Sequence, residues 1–119
     1  MSQGNRIKRV EAVVKEIISE MLITEMDIPK IARLSVTDVE MTADLKIARV
    51  YFSVFGDEDD KQEIFTSLES HKNEIRYALG KELDLKFVPS LQFYRDESME
   101  KAARIYEIIR DLNEEDEEE

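Results

Sequence analysis

The sequence predicts an α+β fold, a single domain in which helices cover one face of a small three-stranded sheet. Apolar residues recur at helical three-and-four spacing in four segments, and at the alternate spacing of a half-buried strand in three shorter segments. The chain has 119 residues with only 3 Gly and 2 Pro, so it can bury one core and has little loop. The predicted order is helix, strand, strand, helix, helix, strand, helix.

The N-terminal half contains a long helix and a predicted hairpin. Residues 5–26 carry an apolar stripe along one helical face. Residues 34–41 form the first strand, in which the parity of the apolar residues changes near residues 37–38 and indicates a bulge. After a turn at residues 42–44, apolar and polar residues alternate over residues 48–54. Because these two strands are so close in sequence, we expect them to pair as an antiparallel hairpin.

The C-terminal half is predicted to contain two helices, a third strand and a last helix. The two helices cover residues 61–71 and 74–83, with a break at Asn73, because asparagine tolerates the left-handed conformation that ends helices. The strand is predicted over residues 85–93, where apolar residues keep alternate spacing. Pro89 lies within this segment and cannot donate to a ladder, so it marks an edge, a bulge or a strand start. The last helix is predicted over residues 98–112. Its apolar face is formed by Met99, Ala102, Ile105 or Tyr106, Ile109 and Leu112.

The charge distribution divides the chain into a domain and a tail. The net charge is −11, and residues 114–119 are all acidic, so residues 1–113 carry only −5. A run of like charges of this kind is typically disordered. We therefore expect a single domain over residues 1–112, followed by an acidic disordered tail over residues 113–119.

The composition limits both the compartment and the chemistry of the protein. There is no Cys and only one His, which excludes disulfide scaffolds, thiolate zinc sites and cysteine nucleophiles. The longest charge-free apolar run, residues 50–55, is too short to span a bilayer, and the N-terminus lacks the apolar segment of a signal peptide. We therefore expect a cytoplasmic protein that does not contact a membrane.

The sequence contains no recognisable catalytic or metal-binding pattern. Ser67 and His71 are four residues apart on a predicted helix, but no strand-to-helix elbow or oxyanion hole accompanies them. The acidic run at residues 57–60 lacks the alternating ligands and the glycine of a calcium loop, and we interpret it as a solvated loop that also suits the N-terminus of the next helix. The three glycines are too scattered to form a phosphate-binding loop. We expect no enzymatic activity, no metal and no cofactor.

Basic residues form the main candidate site, because they cluster in two segments of an otherwise acidic chain. One cluster begins the first helix, where cations oppose the helix dipole and therefore suggest a use elsewhere. Tyr51 and Tyr94 are candidates for stacking on nucleic-acid bases, whereas the other aromatic residues and the methionines are mostly interpreted as core. Solvated surface charge is the alternative explanation for the basic residues. The candidate binding residues are Arg6, Lys8, Arg9, Lys15, Lys72, Arg76, Lys81, Lys86 and Arg95.

A set of residues spread over positions 6–98 also matches a known family in order and spacing. They are Arg6, Arg9-Val10, Val39-Glu40-Met41, Asp44-Leu45, Ala48, Val50-Tyr51, Ile75-Arg76, Leu79-Gly80-Lys81, Leu83, Leu85-Lys86, Val88-Pro89, Leu91, Phe93, Asp96 and Ser98. On these residues the chain resembles ribosome-binding factor A, a small bacterial assembly factor of the small ribosomal subunit. The resemblance implies a type II KH-like domain with the order α-β-β-α-kink-α-β, followed by a C-terminal helix.

The sequence departs from the pattern of this family at three places, one of which is the Asp-Pro after the first helix, interrupted here as Asp27-Ile28-Pro29. The Ala-x-Gly kink between the middle helices is replaced by His71-Lys72-Asn73, and Lys86 stands where the family usually has arginine. A lysine at that position presents a point charge rather than a planar fork. The chain also lacks the GxxG loop with which ordinary KH domains bind single-stranded RNA.

The resemblance implies a function in ribosome assembly. The implied partners are the immature small (30S) subunit and its 16S rRNA, which the protein would bind during late maturation and 5′-end processing. The resemblance also implies a role in growth at low temperature, and we expect a monomer. The basic residues named above are then the expected rRNA-binding residues.

Two other functions remain open at this point. One is a free-standing KH-like protein that binds single-stranded RNA. The other is a protein-interaction adaptor for a ribosome-assembly GTPase, which would use the first or the last helix.

Overall fold

The computed structural model describes residues 3–24, 26–28 and 30–118 of the chain. Four helices and three strands follow one another in the predicted order. A short 3₁₀ turn, Ile31–Arg33, precedes the first strand. The elements are α1 (Gln3–Thr24), β1 (Leu34–Met41), β2 (Ile47–Val54), α2 (Glu58–Ser70), α3 (Lys72–Glu82), β3 (Ser90–Arg95) and α4 (Ser98–Glu118).

The three strands form one sheet in the order β1-β2-β3, which confirms the predicted α+β architecture. Strands β1 and β2 pair as the expected antiparallel hairpin, and the pairing register shifts between Val36 and Asp38, where the bulge was predicted. The amide of Leu45 donates to the carbonyl of Thr42, so a tight turn joins the two strands. Strand β3 pairs in parallel with β2, which requires the crossover made by α2 and α3.

The core lies on one face of the sheet, beneath α1 and α3. Along β2 the side chains of Ala48, Val50 and Phe52 are completely buried, because alternate residues of a strand point to the same face. Phe52 and Phe93 meet edge to face, with ring centroids 5.2 Å apart. The opposite face of the sheet is polar and half-exposed, so only one face of the sheet is covered by helices.

A break at His71 separates α2 from α3. The predicted position of the break within residues 71–73 is confirmed, but the prediction that Asn73 produces it is wrong. Asn73 is already helical, and the non-helical residue is His71, at φ −96° and ψ 5°. Its amide donates to the carbonyl of Leu68 at 3.1 Å, while its own carbonyl accepts the amide of Ile75 at 2.9 Å. A single residue with nearly helical torsions therefore reorients the chain without a left-handed conformation.

The third strand is shorter than predicted. Residues 83–89 form an irregular loop, and β3 begins only at Ser90, whose amide donates to the carbonyl of Lys46. Pro89 precedes this bond and has no N–H, so it cannot extend the ladder. Phe87, predicted to lie in the strand, is 65% exposed.

The acidic run at residues 57–60 forms the N-terminus of α2, which confirms that part of the sequence interpretation, but it is not a loop. Asp57 caps α2 by accepting the amide of Asp60 at 2.8 Å, and the other three acids form the first turn, as suits the helix dipole. Asp60 also pairs with Lys30 at 2.5 Å and with Arg33 at 2.6 Å. The hydrogen bond from Lys30 is the largest cause of the lowered pKa of Asp60. The run therefore connects α2 to the segment that leads into β1.

Helix α4 projects from the domain, and its apolar face is not buried. Its first turn contacts α2 through the ion pair between Glu100 and Lys61. The radius of gyration is 18.0 Å, compared with about 13.5 Å for a compact chain of this length. Helix α4 continues over residues 113–118, where the sequence predicted a disordered tail. The division of the chain into a domain over residues 1–112 and a tail over residues 113–119 stays a prediction. The apolar side chains of α4 that are more than half exposed are Met99, Ile105, Tyr106, Ile108, Ile109 and Leu112.

Within the described residues, no helix combines the length and the apolar character needed to cross a bilayer.

Asp96 connects the bulge in β1 to the start of α4. Its carboxylate accepts hydrogen bonds from the hydroxyls of Ser98 and Thr37, at 2.6 and 2.7 Å, and from the amide of Ser98 at 2.9 Å. These bonds, with the Ser98 hydroxyl making the largest contribution, lower the pKa of Asp96 from 3.8 to about 2. A depressed carboxylate pKa stabilises the fold above pH 3.8, and this stabilisation is lost as the pH falls towards 2.

We predict that Asp96→Asn lowers the free energy of unfolding at pH 7 by about 1–2 kcal/mol, because the charged acceptor of three hydrogen bonds is lost. The difference between the variant and the wild type should shrink between pH 4 and pH 2. Urea unfolding at several pH values measures both effects, with Asp59→Asn as the control at an exposed carboxylate. A constant difference across this pH range would contradict the role given to Asp96.

Candidate nucleic-acid interface

A surface groove lies between α3 and the loop at residues 83–89. We call it the α3–loop groove, and its volume is about 650 Å³. Three cations line it, and none of the described lining residues is acidic. It is lined by Asn73, Arg76, Tyr77, Gly80 and Lys81 from α3, and by Lys86, Phe87 and Val88 from the loop.

Arg76 anchors the loop to α3. Its Nε donates to the carbonyl of Pro89 at 3.1 Å, and its Nη2 donates to the carbonyl of Val88 at 2.9 Å. A charged donor strengthens both bonds. Arg76 was predicted to bind rRNA, and the structure shows that two of its donors are already used to position the loop.

Gly80 allows the loop to approach α3 closely. A Cβ atom at this position would lie 2.7 Å from Cγ2 of Val88, a distance that side chains do not tolerate. The absence of a side chain, and not an unusual torsion, is therefore what this glycine contributes. The contact between Gly80 and Val88 sets the separation of the two walls of the groove.

Each wall of the groove carries an exposed aromatic ring with a cation above it. Tyr77 on α3 is 70% exposed, and Nζ of Lys81 lies 4.6 Å from its ring centroid. Phe87 on the loop is 65% exposed, and Nζ of Lys86 lies 5.5 Å from its ring centroid. In proteins that bind single-stranded nucleic acid, cations contact the phosphates and exposed aromatic rings stack on the bases.

A second groove continues from the first around Lys86 and Phe87, which line both. It adds Arg6 from the N-terminal part of α1 and Lys46 from the hairpin loop. Asp44 is the only carboxylate among its described lining residues, and the hydrogen bond from Thr42 is the main cause of its lowered pKa. The two grooves bring together Arg6, Lys46, Arg76, Lys81 and Lys86, four of which were predicted as binding residues.

The other cations of α1 lie away from these grooves. Lys8 and Lys15 line a separate shallow depression between α1 and β1, together with Glu11 and Asp38. Arg9 is exposed on α1 and lines neither basic groove. The first cluster is therefore divided, and only Arg6 joins the continuous basic surface.

Lys72 and Arg95 are engaged in ion pairs. Lys72 pairs with Glu69 at 2.7 Å and lies 5.0 Å from the ring centroid of Phe93. Arg95 holds both carboxylate oxygens of Glu58, at 2.7 and 3.2 Å, and this hydrogen bonding raises the pKa of Arg95 and lowers that of Glu58. Both cations therefore support the fold at sites outside the α3–loop groove.

The predicted stacking pair lies on the open face of the sheet. Tyr51 and Tyr94 stack on each other, with ring centroids 5.4 Å apart. The hydroxyl of Tyr51 donates to Glu40 at 3.3 Å. The pKa of Tyr51 is raised, mainly because the side chain is partly buried. Because the two rings already contact each other beside a carboxylate, this face is less suited to an anionic ligand than the grooves are.

The groove residues that were not predicted as binding residues include Lys46, Tyr77, Gly80 and Phe87. Tyr77 was interpreted as core, although it falls outside the apolar stripe of α3 formed by Ile75, Leu79 and their neighbours, and this departure was a usable signal. Phe87 was assigned to the strand, and its position in an irregular loop leaves no periodicity from which exposure could be inferred.

We predict that Gly80→Ala destabilises the protein by about 1–3 kcal/mol through overpacking, although alanine is intrinsically the better helix former. Urea unfolding measures the change. The double variant Gly80→Ala, Val88→Ala should recover much of the loss, because it removes the methyl group that the new Cβ meets. If Gly80→Ala were as stable as the wild type, the close packing of the loop on α3 would be refuted.

Comparisons with known proteins identify related sequences and similar folds. Residues 6–109 match the family model for ribosome-binding factor A. Ribosome-binding factor A of Dictyoglomus thermophilum is 42% identical over 113 residues, a match that covers 94% of each chain. The solution NMR structure of a Thermotoga maritima protein described as a putative ribosome binding factor A superposes with a TM-score of 0.70 at 25% identity, covering 82% of this chain and 93% of that one.

A third similar structure is a Thermus thermophilus ribosome binding factor A homology model that was fitted into the cryo-EM map of a 30S complex. It has a TM-score of 0.60 and 22% identity, and it covers 75% of this chain and 93% of that one. At that identity it supports the fold alone, which agrees with the type II KH-like arrangement expected from the sequence. The family model and the curated relative together show that this chain belongs to the ribosome-binding factor A family.

Proposed function

We propose that this protein binds the immature 30S ribosomal subunit through its 16S rRNA, during late maturation and processing of the 5′ end. Family membership supports the subunit as partner. The observation that carries the proposal here is the continuous basic surface formed by the two grooves. It brings together five cations, of which Lys86 lines both grooves, in a chain whose net charge is −11.

The binding mechanism follows from the chemistry of this surface. Lysine and arginine side chains contact phosphates and fix the position of a protein on RNA, independently of base sequence. Because Arg76 and Gly80 hold the loop against α3, the cations form a surface of fixed shape. Such a surface binds one arrangement of rRNA more tightly than others and thereby shifts the population towards it.

The proposed function also implies where the protein acts and in which oligomeric state. A factor that acts on assembling subunits belongs in the bacterial cytoplasm, and we propose that it acts there as a monomer. A role at low temperature fits a protein that favours one rRNA conformation, because misfolded RNA arrangements exchange more slowly in the cold. Family membership also supports the expectation that the chain is not an enzyme.

One observation favours a second candidate function, that of a protein-interaction adaptor for an assembly GTPase. The apolar face of α4 is exposed along its length, as an interaction helix would be before it meets its partner. If this were the main function, binding to purified subunits would not depend on the cations of the grooves. No comparable observation favours a free-standing KH-like protein, because the GxxG loop is missing from the sequence.

We predict that reversing Lys81 and Lys86 to Glu weakens binding to immature 30S subunits and leaves the thermal midpoint nearly unchanged. Both side chains are exposed, and exposed substitutions usually alter stability by no more than about 0.5 kcal/mol. Loss of two phosphate contacts should reduce the slope of log affinity against log salt concentration by about two units. Co-sedimentation at several salt concentrations measures both quantities.

The matched control reverses Arg104 and Arg110, two exposed cations of α4, and produces the same change of net charge. This control should bind subunits within about twofold of the wild type. Equal loss of binding in both variants would indicate a general charge effect, and loss in the α4 variant alone would favour the adaptor function over the proposed one.

A further inference from the structure

The α3–loop groove differs from an ordinary phosphate-binding surface because its two walls carry exposed aromatic rings. Single exposed aromatic residues are common on protein surfaces. Here Tyr77 and Phe87 belong to separate elements and line the same groove, at exposures of 70% and 65%. Arg76 and Gly80 hold the loop that carries Phe87 against the helix that carries Tyr77. The fold therefore maintains the two rings on opposite walls.

The rings restrict the class of ligand that fits. A base-paired duplex presents phosphates and groove edges, while the faces of its bases are stacked inside the helix. Aromatic walls can be used only by a base that is free of such stacking. A groove of about 650 Å³ also falls within the range of pockets that enclose a small ligand group, roughly 300–1,000 Å³.

The charges of the groove suit the phosphate of a nucleotide. Arg76 is committed to the carbonyls of Val88 and Pro89, which leaves the ammonium groups of Lys81 and Lys86 for a phosphate. These groups lie 4.6 and 5.5 Å from the centroids of the adjacent rings. A base against the rings and a phosphate beside the ammonium groups is the combination found in one nucleotide of a single strand.

We propose that the α3–loop groove binds one unpaired nucleotide of a single-stranded RNA segment. Its base stacks against Tyr77 and Phe87, and its phosphate contacts Lys81 and Lys86. Asn73, four residues before Tyr77 on the same face of α3, closes the groove with an amide that can both donate to and accept from a base edge. This inference rests on the proposed binding to rRNA and adds that the bound segment is unpaired.

The test uses Phe87→Trp as a reporter, because the chain contains no other Trp. A 12-nucleotide single-stranded RNA of mixed sequence and the duplex that it forms with its complement are titrated at the same salt concentration. Stacking of a base on the indole should quench its fluorescence. We expect quenching by the single strand, with an affinity at least about tenfold higher than that of the duplex.

Three variants in the reporter background identify the contribution of the ring. Tyr77→Ala should lower the affinity for the single strand about tenfold, as expected for the loss of one base–aromatic stack. Tyr77→Phe keeps the ring and should bind within about twofold of the reporter protein. Tyr106→Ala removes an equally exposed tyrosine from α4, 69% against 70%, and should have no effect. Circular dichroism verifies that all variants are folded.

Several outcomes would overturn the inference: no quenching by the single strand, equal affinity for the duplex, or an unchanged affinity in Tyr77→Ala. Co-sedimentation of the wild type with immature subunits separates this failure from that of the proposed function. If the wild type binds subunits but shows one of these outcomes with RNA, only the unpaired nucleotide is refuted. If the wild type does not bind subunits, the proposed function fails as well.

Discussion

Two hydrogen bonds from Arg76 to the carbonyls of Val88 and Pro89 determine where the loop between α3 and β3 lies. The loop is fixed at its far end too, where the amide of Ser90 donates to the carbonyl of Lys46 and begins the parallel ladder with β2. Gly80 contributes the space that this arrangement needs. The position of the loop in turn decides the direction of Lys86 and Phe87. The candidate interface therefore depends on a few contacts that involve no ligand.

This arrangement divides the basic residues into two groups with different uses. Arg76, Lys72 and Arg95 are engaged with partners inside the protein, and they position the loop, the break between α2 and α3, and the junction of β3 with α2. Lys81 and Lys86 lie beside neighbouring rings and form no ion pair with the part of the chain that the structure describes, which leaves them available to a ligand. An acidic protein can bind an anion in this way, because a local group of cations outweighs distant carboxylates that salt screens beyond about 8 Å.

Patterns with a regular period could be recognised in the sequence. The order of the elements, the hairpin, the bulge near Thr37 and the buried face of β2 all follow from alternation or helical spacing. The start of β3 was only narrowed to Pro89, because apolar alternation continues through Phe87 and a residue without an N–H is compatible with an edge, a bulge or a strand start. The exposed apolar face of α4 was unpredictable, since spacing reveals an amphipathic helix but not whether a partner surface is present.

The candidate site was predicted only in part, for a related physical reason. The sequence shows which residues are charged, but ion pairs and anchors between distant segments, such as those of Arg95 and Arg76, depend on the tertiary structure. Conversely, Lys46 and Arg6 are forty residues apart and become neighbours only when the hairpin packs beside α1. The family resemblance indicated the partner, and the structure separated the cations that are engaged within the protein from those that line the grooves.

The proposed function requires that the grooves, and not the opposite end of the sheet, face the rRNA. Because the chain has no Cys, an iron chelate can be attached to a single introduced cysteine, where it produces radicals that cleave only nearby RNA. Asp84→Cys places the probe in the loop beside the grooves. Asp59→Cys places it next to Glu58, which pairs with Arg95 at the far end of β3, about 20 Å away along the strand. We predict discrete cleavage of 16S rRNA in immature subunits from position 84 and little from position 59; the reverse pattern would contradict this account.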